Sequence, residues 1–502
     1  MVQRIARVAS ALAVGNILYG LAQLLLPPAF IAAYGVNGYG EWLALSAGVS
    51  WMQTLDCGVQ TFLVNELSIQ FQRGNLARVR QLQSVALRIS LAILVIGLLV
   101  VAGAAALVPV NVILGLTMSR STASLIVLLL AAEILLSILW GQLNGMIRSF
   151  GYPHRAEFWA QLYTLILVTI TCCLVFGRSS LWMIPAIRLL AFFLMAAASL
   201  LDLHRLTPHV FPKLSSWDNA TAKEIVRPSL WFGSFTLNQF LVFQAPVLVL
   251  NALAGKPTLV AFSICRSFYG VARQLAQIAR SSVSPELTRL AGLSDVGRLH
   301  KLFGLYEGVS LTVGLVGPTL AFVAAPKLVP LWTRSTVAIS IPLFVAMMVT
   351  SVLNVGKDTR LALLQATNTH IGVARFCLIT YTIFAIGCIP CAYVWGPTGI
   401  VVLWMGIEIL QLVFVHRESR TVLPQLSWYR LGLLGLGAVM LVRPAWWLGQ
   451  ILATGTWLTA GAVIAIAAVL LTIPAASLFG LGALLPGRAG APAAAANITL
   501  GM

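Results

Sequence analysis

Residues 258–283 read TLVAFSICRSFYGVARQLAQIARSSV. As a helix this stretch is about 39 Å long at 1.5 Å per residue, enough to cross the ~30 Å hydrocarbon core of a bilayer. It is otherwise apolar enough to lie in a membrane, but it carries Arg266, Arg273 and Arg280, which recur at a seven-residue spacing. Seven residues are nearly two turns, so the three share one face with roughly 10 Å between neighbours. An arginine at the bilayer centre costs at least ~2.5–3.5 kcal/mol on insertion scales, and each therefore needs a partner or a water-filled site. A membrane helix with one polar face satisfies both facts.

The rest of the chain agrees. Of its 502 residues 59% are hydrophobic and only 9% charged, and mean hydropathy is +0.93. Soluble domains carry about 25% charged residues. Apolar runs of helix-spanning length recur throughout, which predicts an all-α polytopic membrane protein of about fourteen spans and excludes a β-barrel with its short alternating segments. The spans that matter below are 8–33, 39–63, 258–283, 339–356 and 398–415. The N-terminal run reads as an uncleaved first helix, since a second span follows it directly. With the N-terminus inside, Lys and Arg favour the inner connections by roughly four to one, Lys357 and Arg360 among them, as the positive-inside rule requires. The net charge of +18 is that bias, and it comes without a nucleic-acid-binding motif. The seven cysteines lie in apolar segments and read as core packing. The six histidines, His416 included, fall in connections, so neither a metal site nor a cofactor is expected.

An internal repeat appears at an offset of about 220 residues. FLVNELSIQFQRGNLARVRQL (62–82) matches SSVSPELTRLAGLSDVGRLHKL (281–302), and FGYPHRAEF (150–158) matches ATNTHIGVARF (366–376). The predicted organisation is a six-helix bundle over 1–201, a cytoplasmic linker over 202–228, a second six-helix bundle over 229–416, two added helices within 431–484 and a disordered tail over 485–502. Six spans per copy make the repeat parallel, with its axis along the membrane normal.

Carried across the repeat, the arginine face of span 8 maps onto Ser46, Gln53 and Gln60 of span 2. Span 1 adds Asn16 and Gln23; span 7 adds Asn238, Gln239 and Gln244; Tyr269 and Gln277 accompany the arginines. Together they predict a central aqueous cavity with a cationic side. Guanidinium forks bind phosphate oxygens bidentately and keep their charge, so Arg266, Arg273 and Arg280 are candidate diphosphate ligands. The alternatives are salt bridges for Arg266 and Arg273 and snorkelling to headgroups for Arg280. Arg188 with Glu133 forms a candidate structural pair. Glu408 has no obvious partner in its copy, which makes it either a proton carrier or a hydrogen-bonded structural acid. Asp56, beside Gly58, reads equally as a packing or a binding group.

NGYGEWLALSAGVSWMQTLDCGVQTFLVNELS (37–68), SPELTRL (284–290) and ATNTHIGVAR (366–375) resemble, in that order, Wzx-type polysaccharide and O-antigen flippases of the MOP exporter superfamily. The resemblance spans the first twelve helices. It implies a MATE-like, V-shaped pair of bundles in the bacterial inner membrane, with both termini cytoplasmic. It also implies transport of undecaprenyl-diphosphate-linked glycan from inner to outer leaflet by alternating access. No ATP site and no enzymatic step are implied, and a polysaccharide polymerase and a chain-length regulator become expected partners. The chain departs from lipid II flippases in having amides where those carry basic residues on spans 1 and 2, and from many MATE drug exporters in lacking an acid on span 1. A membrane glycan ligase or polymerase would need acid–base groups on an external loop, and the loops holding Arg120, or Lys327 and Arg334, contain no acid.

Overall fold

The computed structural model describes residues 2–212, 217–292, 295–335, 337, 340–367 and 369–479; the predicted disordered tail lies outside them. The described residues are all-helical. In chain order the helices are α1 (Val2–Ser50), α2 (Val59–Gln72), α3 (Leu76–Leu107), α4 (Val110–Ile113), α5 (Arg120–Ser149), α6 (Pro153–Phe176), α7 (Met183–Leu206), α8 (Asn219–Phe243), α9 (Ala245–Leu253), α10 (Gly255–Gly292), α11 (Val296–Trp332), α12 (Ile341–Ala366), α13 (Ile371–Val422), α14 (Tyr429–Met440), α15 (Val442–Thr454) and α16 (Trp457–Leu478). Among the described residues 9 helices are long and apolar enough to cross a membrane, and α14 with α15, bent by 42°, makes 10. Two helices hold two crossings each. α13 has 52 residues and breaks at Gly396 (φ 60); α1 has 49 and breaks at Gly35 (φ 73). With α10, whose arginines lower its hydropathy, the chain divides into about fourteen crossings.

The repeat is visible in the backbone. Gly35 (φ 73) and Gly255 (φ 76) stand at equivalent junctions in the left-handed region that glycine enters freely. The side chain of Asn75 caps α3 by accepting from the Arg78 amide, and that of Asp295 caps α11 by accepting from the Arg298 amide. Each cap supplies an acceptor to an otherwise unpaired N–H of the first turn.

Helices α2, α3, α5, α6 and α7 pack among themselves, and α8 and α10 to α13 do likewise, with α14, α15 and α16 laid on α11 and α12. The halves meet where α1 runs along α10 and where α2 meets α8. The Lys256 ammonium lies 2.7 Å from Glu41, tying α1 to α10 at the end opposite the basic connections. At the basic end Arg78 pairs with Glu224, and Gln81 donates to Asp218 at 2.9 Å.

Three expectations are corrected. Span 2 is not one helix: it passes through a 3-10 segment, Trp51–Asp56, and the left-handed residues Cys57 (φ 48) and Gly58 (φ 76) before α2 begins. Span 10 does not end at 356, because α12 continues to Ala366. Lys357 and Arg360 are therefore interior residues, 3% and 1% exposed. The Arg360 guanidinium lies 2.6 Å from Glu307, and Arg430 reaches the same carboxylate at 3.1 Å. His416 is likewise buried in α13, its ring 3.9 Å from that of Trp428, because α13 runs on to Val422.

A Cβ at Gly233 would stand 2.6 Å from the Cys57 carbonyl carbon, so α8 touches the broken part of span 2 backbone to backbone. Gly233→Val should destabilise the protein by about 1–3 kcal/mol through overpacking. Thermal unfolding of the purified variant in detergent checks this, and an unchanged midpoint would show that the approach is not needed.

Candidate functional site

The arginine face of α10 looks into a cavity of ≈ 380 Å³ walled by the 3-10 segment, α8, α10, α12 and α13. Its polar wall includes Gln53, Gln239, Gln244, Arg266, Tyr269 and Arg273. A second cavity of ≈ 130 Å³ continues from it: Gln239, Phe243, Arg273 and Asn354 line both. The second holds Asn238, Arg280, Lys357, Asp358 and Tyr381, and a narrow extension joins Arg273, Gln277 and Arg280. The chain of cavities follows the arginine ladder along its whole length.

Local chemistry sets the arginines. Pro246 lacks an N–H and its ring clashes with the preceding turn, so the helix breaks at Gln244 and leaves terminal carbonyls of α8 without helical partners. Arg266 donates to one of them, Phe243 O. The Phe243 ring lies 4.6 Å from the Arg273 guanidinium carbon, a cation–π contact. Arg280 donates to Gln365 Oε1. No carboxylate lies within salt-bridge distance of Arg273 among the described residues. The Tyr269 hydroxyl and both amide atoms of Asn238 are buried without a hydrogen-bond partner among the described residues. Buried polar groups are normally satisfied, and these two residues lie on the cavity walls.

Glu408 requires a correction. Its Oε2 lies 2.8 Å from Lys357 Nζ, while Oε1 accepts from Tyr381 at 2.7 Å and from Trp404 Nε1 at 2.9 Å. Lys357 also donates to Gln411 Oε1 at 3.0 Å, and Gln411 donates to Thr380 at 2.6 Å. The carboxylate is thus the centre of a buried network whose Lys357 and Tyr381 reach the second cavity.

Other predicted residues fall elsewhere. Arg188 and Glu133 are 2.6 Å apart, inside the first half and away from the cavity. Ser46 and Gln60 do not line it; Gln60 donates to Ile138 O at 3.0 Å and packs on Gly141. Asp56 accepts from the Gln60 amide at 3.4 Å, a weak bond at the start of α2. The side chains of Asn16 and Gln23 lie outside the described residues. Sequence reasoning missed Lys357, Asp358, Asn354 and Tyr381. The signal was weak: the polar run GKDTR (356–360) reads as a connection, and only the absence of proline and the apolar LALL (361–364) after it argue that the helix continues to Thr367.

No protein-family model matches the chain, and no curated relative does. Solved structures do match in fold. An inward-facing multidrug resistance MATE family transporter of the MOP superfamily aligns with TM-score 0.61 at 15% identity, covering 84% of this chain and 96% of its own. The MATE multidrug transporter DinF-BH, solved as a complex, aligns with TM-score 0.63 at 14% identity and the same coverage. A MOP superfamily transporter from Pyrococcus furiosus, described as having a binding pocket of reverse polarity, aligns with TM-score 0.57 at 14% identity, covering 88% of this chain and 96% of its own. The chain has the fold of MOP superfamily transporters.

Removing one member of the Lys357–Glu408 pair should cost about 3–5 kcal/mol, while Lys357→Met with Glu408→Leu should restore much of it. A double-mutant cycle on detergent melting measures this. Additive losses would show that the two side chains do not interact.

Proposed function

We propose that the protein is a flippase for polyprenyl-diphosphate-linked oligosaccharide, carrying it from inner to outer leaflet of the bacterial inner membrane with both termini cytoplasmic. The observation that carries this reading is Arg273: a guanidinium in a membrane-embedded polar cavity, with Arg266 and Arg280 one step away on each side. Elsewhere in the interior Glu133, Glu307 and Glu408 each hold a basic partner. A diphosphate supplies the anionic oxygens that Arg273 lacks, and bidentate geometry suits guanidinium better than ammonium. Asn238, Gln239, Gln244 and Gln53 present amides to the sugars. The cargo's polyprenyl chain remains in the apolar phase.

Rocking of the two halves about the α1–α10 contact would expose the cavity to each side in turn. In that cycle the Glu41–Lys256 bridge, which joins the halves at the far end, would act as the closure on that side. The fold is shared with multidrug exporters, which supports an exporter of small molecules as a second reading, but an arginine-lined cavity repels organic cations. The described reverse polarity of the P. furiosus transporter's pocket fits a scaffold on which cavity charge changes with cargo.

In cells lacking the chain, lipid-linked glycan should build up on the inner leaflet; unaltered surface glycan would overturn the proposal. Arg273→Ala should lower transport about ten- to a hundredfold, the worth of a charge-assisted hydrogen bond, and Arg273→Lys should retain part. Full complementation by Arg273→Ala would make the ladder structural.

Glu41→Gln should weaken the far-end closure. In a cysteine-free background, Ser267→Cys in the cavity wall should then react faster with an impermeant thiol reagent added from the far side. Unchanged labelling would remove Glu41 from the gate.

A further inference from the structure

The 3-10 segment Trp51–Asp56 separates two spaces of opposite character. On one side Gln53 and Thr54, with the preceding Ser50, line the arginine cavity. On the other, Trp51, Met52 and Leu55 line an almost wholly apolar groove of ≈ 380 Å³ against α3. In a 3-10 helix residues three apart eclipse. Ser50 and Gln53 therefore stack toward the cavity, Met52 and Leu55 toward the groove, and Trp51 and Thr54 share the edge between them. One layer of backbone divides a cationic chamber from a lane open to lipid.

The groove follows α3 from Arg88 through Ile89, Ile93, Ile96 and Val100, roughly 18 Å at the helical rise. Ile96 and Val100 are 61% and 56% exposed. Arg88 and Trp217 wall the groove with them. Arg88 lies at the end nearer the basic connections, where Arg78 and Arg80 begin the same helix. Tryptophan and arginine mark the level of lipid headgroups, and Arg88 makes no ion pair among the described residues.

We propose that this groove binds the hydrocarbon chain of the transported diphosphate lipid, with Arg88 meeting the phosphate as the lipid arrives from the inner leaflet. Three observations select that occupant over an ordinary neighbouring lipid. The groove abuts the cationic cavity across a single segment, a cation without an ion pair among the described residues stands at its leaflet end, and its length runs with the membrane-spanning axis of α3. An amphiphile with an anionic head and a long apolar chain fits both spaces at once. The inference rests on the flippase reading and adds to it a protein site for the chain.

The test uses the purified full-length chain in detergent, with inorganic diphosphate, geranyl diphosphate and geraniol as probes in equilibrium binding. Ala92→Trp with Ile96→Trp fills the groove from exposed positions one turn apart, and Val100→Trp is a second, independent filler. Wild type should bind geranyl diphosphate about tenfold or more tightly than inorganic diphosphate, because the chain leaves water for the groove. The filled variants should bind the two alike, with inorganic diphosphate unchanged. If wild type binds no diphosphate, the cavity reading fails and this one with it. If diphosphate binds but the filled variants keep the chain's gain, the groove proposal alone fails. Loss of inorganic diphosphate binding in both fillers, or equal competition by phosphatidylglycerol, would also overturn it, assigning the groove to the head site or to bulk lipid.

Discussion

Charge inside a bilayer must be neutralised or hydrated, and that constraint organises this molecule. Three interior acids tie helices together: Glu133 on α5 to Arg188 on α7, Glu307 on α11 to Arg360 on α12 and Arg430 on α14, Glu408 on α13 to Lys357 on α12. Such pairs are weak evidence of net stability, since desolvation offsets much of the attraction. What they impose is register, because a helix that slides leaves two buried charges unpaired. The two halves use the device at corresponding places with the signs exchanged. In the first the acid is on the fourth crossing and the base on the sixth; in the second the base is on the tenth and the acid on the twelfth. That exchange turns the second half's cation, Lys357, toward the cavity wall, whereas Arg188 faces the first half's own interior.

Against this background the α10 ladder is asymmetric. Arg266 is held by a carbonyl freed where Pro246 breaks the helix, Arg280 by an amide, and Arg273 by the face of Phe243. These contacts orient a guanidinium without cancelling its charge. A carboxylate would fill the site that an anionic ligand requires. The fold thus leaves Arg273 without an ion pair among the described residues, Asp358 being an acid on the same cavity walls, and that place is also where buried amide and hydroxyl groups lack partners among the described residues.

Much of this is legible in sequence because it depends on local patterns. Apolar run length and the offset of the repeat foretell the helices, and the backbone repeats the offset in the Gly35 and Gly255 junctions and the Asn75 and Asp295 caps. The seven-residue spacing places the arginines on one face. What escapes depends on pairing across helices. A lysine at the end of an apolar run reads as a connection until its acid, fifty-odd positions on, is brought beside it by folding. Lys357 and Arg360 therefore read as loop charges and Glu408 as solitary. The mapping of the ladder onto Ser46, Gln53 and Gln60 fails for a different reason. It assumes a continuous α-helix, and the 3-10 segment rotates the chain so that only Gln53 keeps the cavity face.

That same break has a physical logic. Left-handed backbone at a non-glycine residue such as Cys57 costs on the order of 1–3 kcal/mol and persists only where the surroundings impose it. Here the surroundings are α8, whose Gly233 allows backbone contact with Cys57. The strained segment is held by the opposite half of the molecule. A motion of the halves that withdraws α8 would remove the contact that maintains the segment's shape. The wall between the polar cavity and the apolar groove would then loosen as the halves rock. In the proposed transport cycle, a cargo with its head in one space and its chain in the other requires the wall to yield when the cavity changes sides. Coupling the strain in span 2 to the contact with α8 makes those two events one.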